Sequence, residues 1–88
     1  MRIKIKSEKE LRELFESDPE YINSYLGWRN NLGNLFNNRM FKYCGQYLTT
    51  NEKYKGFYDF ETTIDGYSFG WRKEWVDIYP LRMKEIDV

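Results

Sequence analysis

The residues that could do chemistry in this chain are few, and their types exclude more than they offer. There is no histidine, so Ser-His and Cys-His nucleophile pairs are ruled out together with histidine-based metal sites. Acid–base work would fall to carboxylates, lysine or tyrosine. Glu8, Glu10, Glu13 and Glu16 follow one another along a helical stretch, but Lys9 and Arg12 among them mark a solvated face. Asp59 and Glu61 share one face of an expected strand and could flank a site or chelate a cation. Two carboxylates at that spacing are more often a polar sheet face. The single cysteine, Cys44, excludes an internal disulfide and any multi-cysteine zinc site. It stands at the expected C-terminal end of a helical piece, where the dipole disfavours a thiolate, so a buried structural thiol is expected. No glycine-rich phosphate loop occurs. Gly27, Gly33 and Gly45 read as turn and cap glycines. These residue types point to a non-enzyme without cofactor or metal.

What remains is a basic, ring-rich middle. Arg29, Arg39, Lys42, Lys53 and Lys55 alternate with Trp28, Tyr43, Tyr47, Tyr54 and Phe57. Fourteen basic and fourteen acidic residues cancel over the chain, yet their signs are segregated. Residues 1–6 and 29–55 are positive, 8–20 and 59–77 negative. Cations beside exposed rings suit single-stranded nucleic acid, the rings stacking on bases and the charges on phosphates. Trp, Tyr and Arg equally make protein hot spots. A net charge of zero favours the protein partner, because nucleic-acid domains are usually visibly basic.

Local signals set out the elements that must position these groups. Arg2 to Lys6 alternates charge with isoleucine, the period of a half-buried strand, and its lysines suggest an edge. Ser7 and Glu10 form a capping box ahead of Leu11, Leu14 and Phe15 at helical spacing. Asp18-Pro19 ends that helix. Tyr21, Ile22, Tyr25 and Leu26 suggest one face of a short helix. Leu32, Leu35, Phe36, Met40 and Tyr43 suggest a second helical segment, closed by Gly45. Gln46 to Thr50 reads as a strand, and 51–56 as a polar loop. Phe57 to Ile64 and Tyr67 to Trp71 then flank Asp65-Gly66, a strong type I′ hairpin signal. A short turn or 3₁₀ piece follows at Glu74 to Val76, and Pro80 marks the end of the ordered pattern.

The stretch Met40-Phe41-Lys42-Tyr43-Cys44-Gly45-Gln46, Leu48-Thr49-Thr50, Gly56, Tyr58, Phe60, Gly66, Trp71 and Glu74-Trp75 carries a further signal. It resembles small SH3-like barrel proteins encoded by bacteriophages and prophages. The resemblance covers less than half the chain. It implies a barrel in which residues 20–38 are an insertion, and partners in a bacterial host, such as a defence complex that the protein blocks.

The expected fold is α+β, a small antiparallel curled sheet or SH3-like barrel with one or two N-terminal helices. Eighty-eight residues make one domain: a strand and capped helix over 1–19, the insertion over 20–38, a β-rich barrel part over 39–80 and a tail over 81–88. No apolar run approaches the roughly 20 residues that span a bilayer, and no signal peptide is visible. A cytoplasmic location is therefore expected. The expected function is a non-catalytic module binding a host or phage protein, in a 1:1 or dimeric complex, through Trp28, Arg29, Asn30, Asn31, Phe36, Arg39, Tyr54 and Lys55. The alternative is single-stranded nucleic-acid binding by the same cations and rings.

Overall fold

A computed structural model describes residues 1–78. Expectations that fall on Pro80 and the tail 81–88 lie outside them. Over the described residues the chain is α+β: one α-helix, two 3₁₀ pieces and eight short strands, all paired antiparallel, in three separate sheets. Among the described residues no barrel closes.

The Arg2–Ile5 strand (β1) does not lie at an edge. It runs between β5 (Tyr47–Thr49) and β8 (Val76–Ile78), with Ile3 opposite Leu48 and Ile5 opposite Val76. Alternation explains why a lysine-bearing strand can be central: Ile3 and Ile5 are fully buried while Arg2 and Lys4 point outward. Those outward cations bracket the ring of Tyr47, Arg2 at 5.0 Å and Lys4 at 5.9 Å from its centroid.

Helix α1 (Glu8–Ser17) starts as expected. Ser7 Oγ accepts the Glu10 N–H at 3.1 Å, and the Glu10 carboxylate accepts the Ser7 N–H at 3.3 Å. Ser7→Ala leaves the Glu10 N–H to water and should cost about 1 kcal/mol, measured by urea denaturation. An unchanged midpoint would show the box to be idle. The helix buries Leu11 and Phe15 and stops at Asp18, ahead of Pro19.

The segment 20–38 departs most from expectation. It holds no α-helix; β2 (Ile22–Ser24), β3 (Gly27–Arg29) and β4 (Leu35–Asn37) form a meander. A helix is unfavourable here because serine and asparagine side chains capture nearby backbone groups. Ser24 Oγ accepts the Leu26 N–H and donates to the Gly27 carbonyl. Asn30 Oδ1 accepts the N–H groups of Leu32 and Asn34, closing the β3–β4 turn. Asn37 Oδ1 accepts the Arg39 N–H and opens a 3₁₀ helix over Asn38–Tyr43 in place of the expected second helical segment. Gly45, at φ +78°, then turns the chain in the left-handed region.

In the last third, β6 (Phe60–Ile64) and β7 (Tyr67–Trp71) form the expected hairpin, though β6 starts at Phe60 rather than Phe57 and leaves Asp59 outside it. Asp65 at φ +51° and Gly66 at φ +82° have the two positive dihedrals of a type I′ turn. A 3₁₀ turn, Lys73–Trp75, leads into β8.

The three sheets and α1 meet on one ring-rich core. Phe15 lies within 4.8–6.4 Å, centroid to centroid, of Tyr21, Trp28, Phe36, Phe41 and Trp75. The indole N–H groups of the two fully buried tryptophans are satisfied: Trp71 Nε1 donates to Thr62 Oγ1 at 2.9 Å and Trp75 Nε1 to the Tyr21 hydroxyl at 3.0 Å. Burial holds the Tyr21 phenol above its ordinary pKa, opposed by the Trp75 hydrogen bond.

Candidate functional site

The β2–β3–β4 sheet has two unlike faces, set by its register. Asn23, Trp28 and Phe36 stand opposite one another on one face, and Ile22, Arg29 and Leu35 on the other. The first row faces the core: Phe36 is fully buried, and Trp28 is half-buried with its ring stacked on Phe15. The second row faces outward. Ile22 is 69% exposed, and the turns at either end of β3 add Tyr25 at 88%, Leu26 at 41% and Leu32 at 56%. Arg29 stands opposite Ile22, its guanidinium 3.4 Å from the Gly33 carbonyl and in no ion pair among the described residues.

The eight residues expected to bind therefore divide. Arg29, Asn31, Arg39 and Lys55 are exposed. Phe36 belongs to the core, where its ring lies 4.8 Å from Phe41 and 5.2 Å from Trp75. Asn30 is also buried, and its amide organises the turn by accepting two backbone N–H groups and donating to Asn34 Oδ1 at 3.1 Å. Trp28 is committed to Phe15. Tyr54 is half-buried, its hydroxyl accepting the Tyr58 N–H at 2.8 Å. The Tyr58 hydroxyl in turn accepts the Leu35 N–H at 2.8 Å, so the 50–59 loop reaches the meander through Tyr58. Sequence reasoning missed Ile22, Tyr25, Leu26 and Leu32 as surface. The overlooked signal is Ser24 and Gly27 bracketing a two-residue turn, which makes Ile22, Asn23 and Ser24 alternate rather than spiral.

The groups weighed for chemistry are occupied in structural contacts. Asp59 accepts the Lys73 N–H at 2.8 Å and lies 3.7 Å from Arg72. Glu61 accepts the Asn51 side-chain amide at 2.7 Å. Cys44 is half-buried rather than buried. Desolvation, then the Glu8 carboxylate, pushes its thiol up to about 11, with Arg12 opposing. Burial thus suppresses the thiolate, rather than a helix dipole. The native thiol should react with iodoacetamide at pH 8 about a hundredfold more slowly than in the urea-unfolded chain, the thiolate ratio for a shift of about two units. Equal rates would remove the burial. Because the fold favours the neutral thiol, stability linked to it is intact below the ordinary thiol range. It is lost as pH rises toward about 11.

Among the described residues no helix is long and apolar enough to cross a membrane. No protein-family model, no curated protein and no solved structure matches this chain.

Proposed function

We propose that the protein is a non-catalytic module that binds another protein through the outer face of the β2–β3–β4 meander. One observation carries this reading: four large apolar side chains of the meander, Ile22, Tyr25, Leu26 and Leu32, are exposed, with Ile22 directly opposite Arg29. Scattered surface leucines need no explanation, but several exposed apolar side chains on one small meander that also presents an arginine have the make-up of an interface. The resemblance of residues 40–75 to phage SH3-like proteins supports a phage-encoded inhibitor or modulator of a bacterial host complex. The SH3-like fold reading rests on the same resemblance.

Pull-downs from bacterial lysate with the wild type and an Ile22→Asp, Leu32→Asp variant test the proposal. Both positions are exposed, so the variant should keep its thermal midpoint while losing at least tenfold in affinity for the retained protein. Retention of the same partner at equal strength would overturn the assignment of this face.

Single-stranded nucleic-acid binding is favoured by a different observation, the exposed Tyr47 ring flanked by Arg2 and Lys4. It requires oligonucleotide affinity to fall with salt at a slope of roughly −0.7 per phosphate neutralised. Affinity insensitive to salt would leave the protein-binding reading alone.

A further inference from the structure

The two outer edges of the β6–β7 hairpin are treated differently. In a two-residue type I′ hairpin the residues flanking the turn exchange both backbone hydrogen bonds, so Ile64↔Tyr67 and Thr62↔Phe69 are bonded pairs. Glu61 and Thr63 on β6, and Ser68 and Gly70 on β7, then turn their N–H and C=O groups outward. On β6 this edge is covered: Asn51 donates its N–H to the Glu61 carbonyl at 2.8 Å, and its side chain bonds Glu61 and Thr63. On β7 the backbone groups of Ser68 and Gly70 have no partner among the described residues. Tyr67 to Trp71 also lacks the lysine, proline or bulge with which proteins usually protect an edge.

A groove of about 350 Å³ runs along this open edge. Its opposite wall comes from β4 and the 3₁₀ helix, through Leu35, Asn37, Met40 and Arg39. Tyr58 sits at its base, its ring against Gly70 where a β-carbon would collide with it, and its hydroxyl on the Leu35 N–H. The wall is positive. No acidic residue occurs between Tyr21 and Asn51, and the Arg39 guanidinium makes no ion pair among the described residues.

We propose that this groove takes an extended, acidic segment of a partner protein as an added strand on β7. The backbone of Ser68 and Gly70 would pair with the segment, and Arg39 would meet a carboxylate on it. Main-chain pairing supplies affinity in such strand addition, while side chains on alternate positions supply specificity. The proposal rests on the protein-binding reading but uses a second surface, which meets the Ile22 face at Leu35.

The test uses a capped nine-residue peptide alternating valine with aspartate and threonine, and a counterpart with lysine in place of aspartate. Hydrogen exchange and amide chemical shifts are followed on the full chain. The acidic peptide should protect the Ser68 and Gly70 amides and bind about fivefold more tightly than the basic one, the scale of one exposed charge pair. Arg39→Glu should reverse that order without moving the thermal midpoint. Ser68→Pro removes an outward donor while sparing the β6 pairing, and should weaken both peptides. Ile22→Asp should leave peptide binding unchanged, so failure of the meander face and failure of the groove read separately. Equal affinity for the two peptides, absence of binding, or shifts confined to residues 22–32 would overturn the proposal. Protection of Ser68 and Gly70 without peptide would also overturn it, since a second copy or the chain itself would then fill the edge.

Discussion

Replacing Phe36 with alanine should cost about 3–5 kcal/mol, the range for deleting a buried phenylalanine. The ring has no exposed surface and lies within 4.8–5.8 Å, centroid to centroid, of Phe15, Phe41, Trp71 and Trp75. It therefore joins the meander to α1, the 3₁₀ helix and the β6–β7 hairpin at one point. Truncation leaves a cavity that four rigid rings cannot easily collapse into. Small domains have about 5–15 kcal/mol of total stability, so the variant should stand near the threshold of folding. With a urea slope of about 1 kcal/mol/M, the midpoint should fall by about 3–5 M. Phe36→Leu should recover most of the loss, because it keeps much of the volume. A shift below about 1 kcal/mol in the alanine variant, accompanied by loss of partner binding, would return Phe36 to the surface.

Gly27→Ala should be comparably severe, for a backbone reason. Gly27 has φ +144°, a conformation that residues with a side chain rarely adopt. A β-carbon at this position would also land on the Phe36 carbonyl oxygen and lie 3.0 Å from the Asn37 Cα. Neither obstacle is a flexible side chain that could swing away. Strain and collision together should cost about 3 kcal/mol or more. The loss should be accompanied by faster amide exchange across β3 and β4, where Gly27 opposes Asn37. A stable variant with unchanged exchange would show that β3 and β4 do not approach as closely as described. Gly33 is an informative control: it also has positive φ, but open space surrounds its missing side chain. Gly33→Ala should therefore cost distinctly less.

The parts of this fold that were legible in the sequence are those whose determinants lie within a few residues. Ser7 and Glu10 specify a helix start, and Asp65-Gly66 a hairpin, whatever surrounds them. Gly45 likewise marks a turn that only its own backbone decides. The role of β1 was not legible, because its neighbours come from positions 47–49 and 76–78. Lysines on an isolated strand look like edge protection until both partners are known. The misreading of residues 20–43 has a different origin. Leu32, Leu35, Phe36, Met40 and Tyr43 do recur at helical intervals. Asn30 and Asn37, however, hydrogen-bond to nearby backbone and divide that run among a turn, a strand and a 3₁₀ helix. Periodicity alone could not weigh that competition. The same error hid the candidate site. On a helix, Tyr21, Ile22, Tyr25 and Leu26 would share one buried face; on the observed hairpin Tyr21 enters the core while the other three remain outside. Arg29, Asn31 and Arg39 were legible as surface because charge and amide groups resist burial in any fold.

The central position of β1 also bears on the order in which the molecule can assemble. The β2–β3, β3–β4 and β6–β7 pairings join neighbours in the chain and can zip up from short loops. Strand β1 has no such neighbour: Ile3 must find Leu48, and Ile5 must find Val76. Each of those closures requires a long loop to be ordered before contacts reward it. On a ribosome, β1 would therefore emerge ahead of both its partners and wait for β8, among the last of the described elements, before its sheet could be complete.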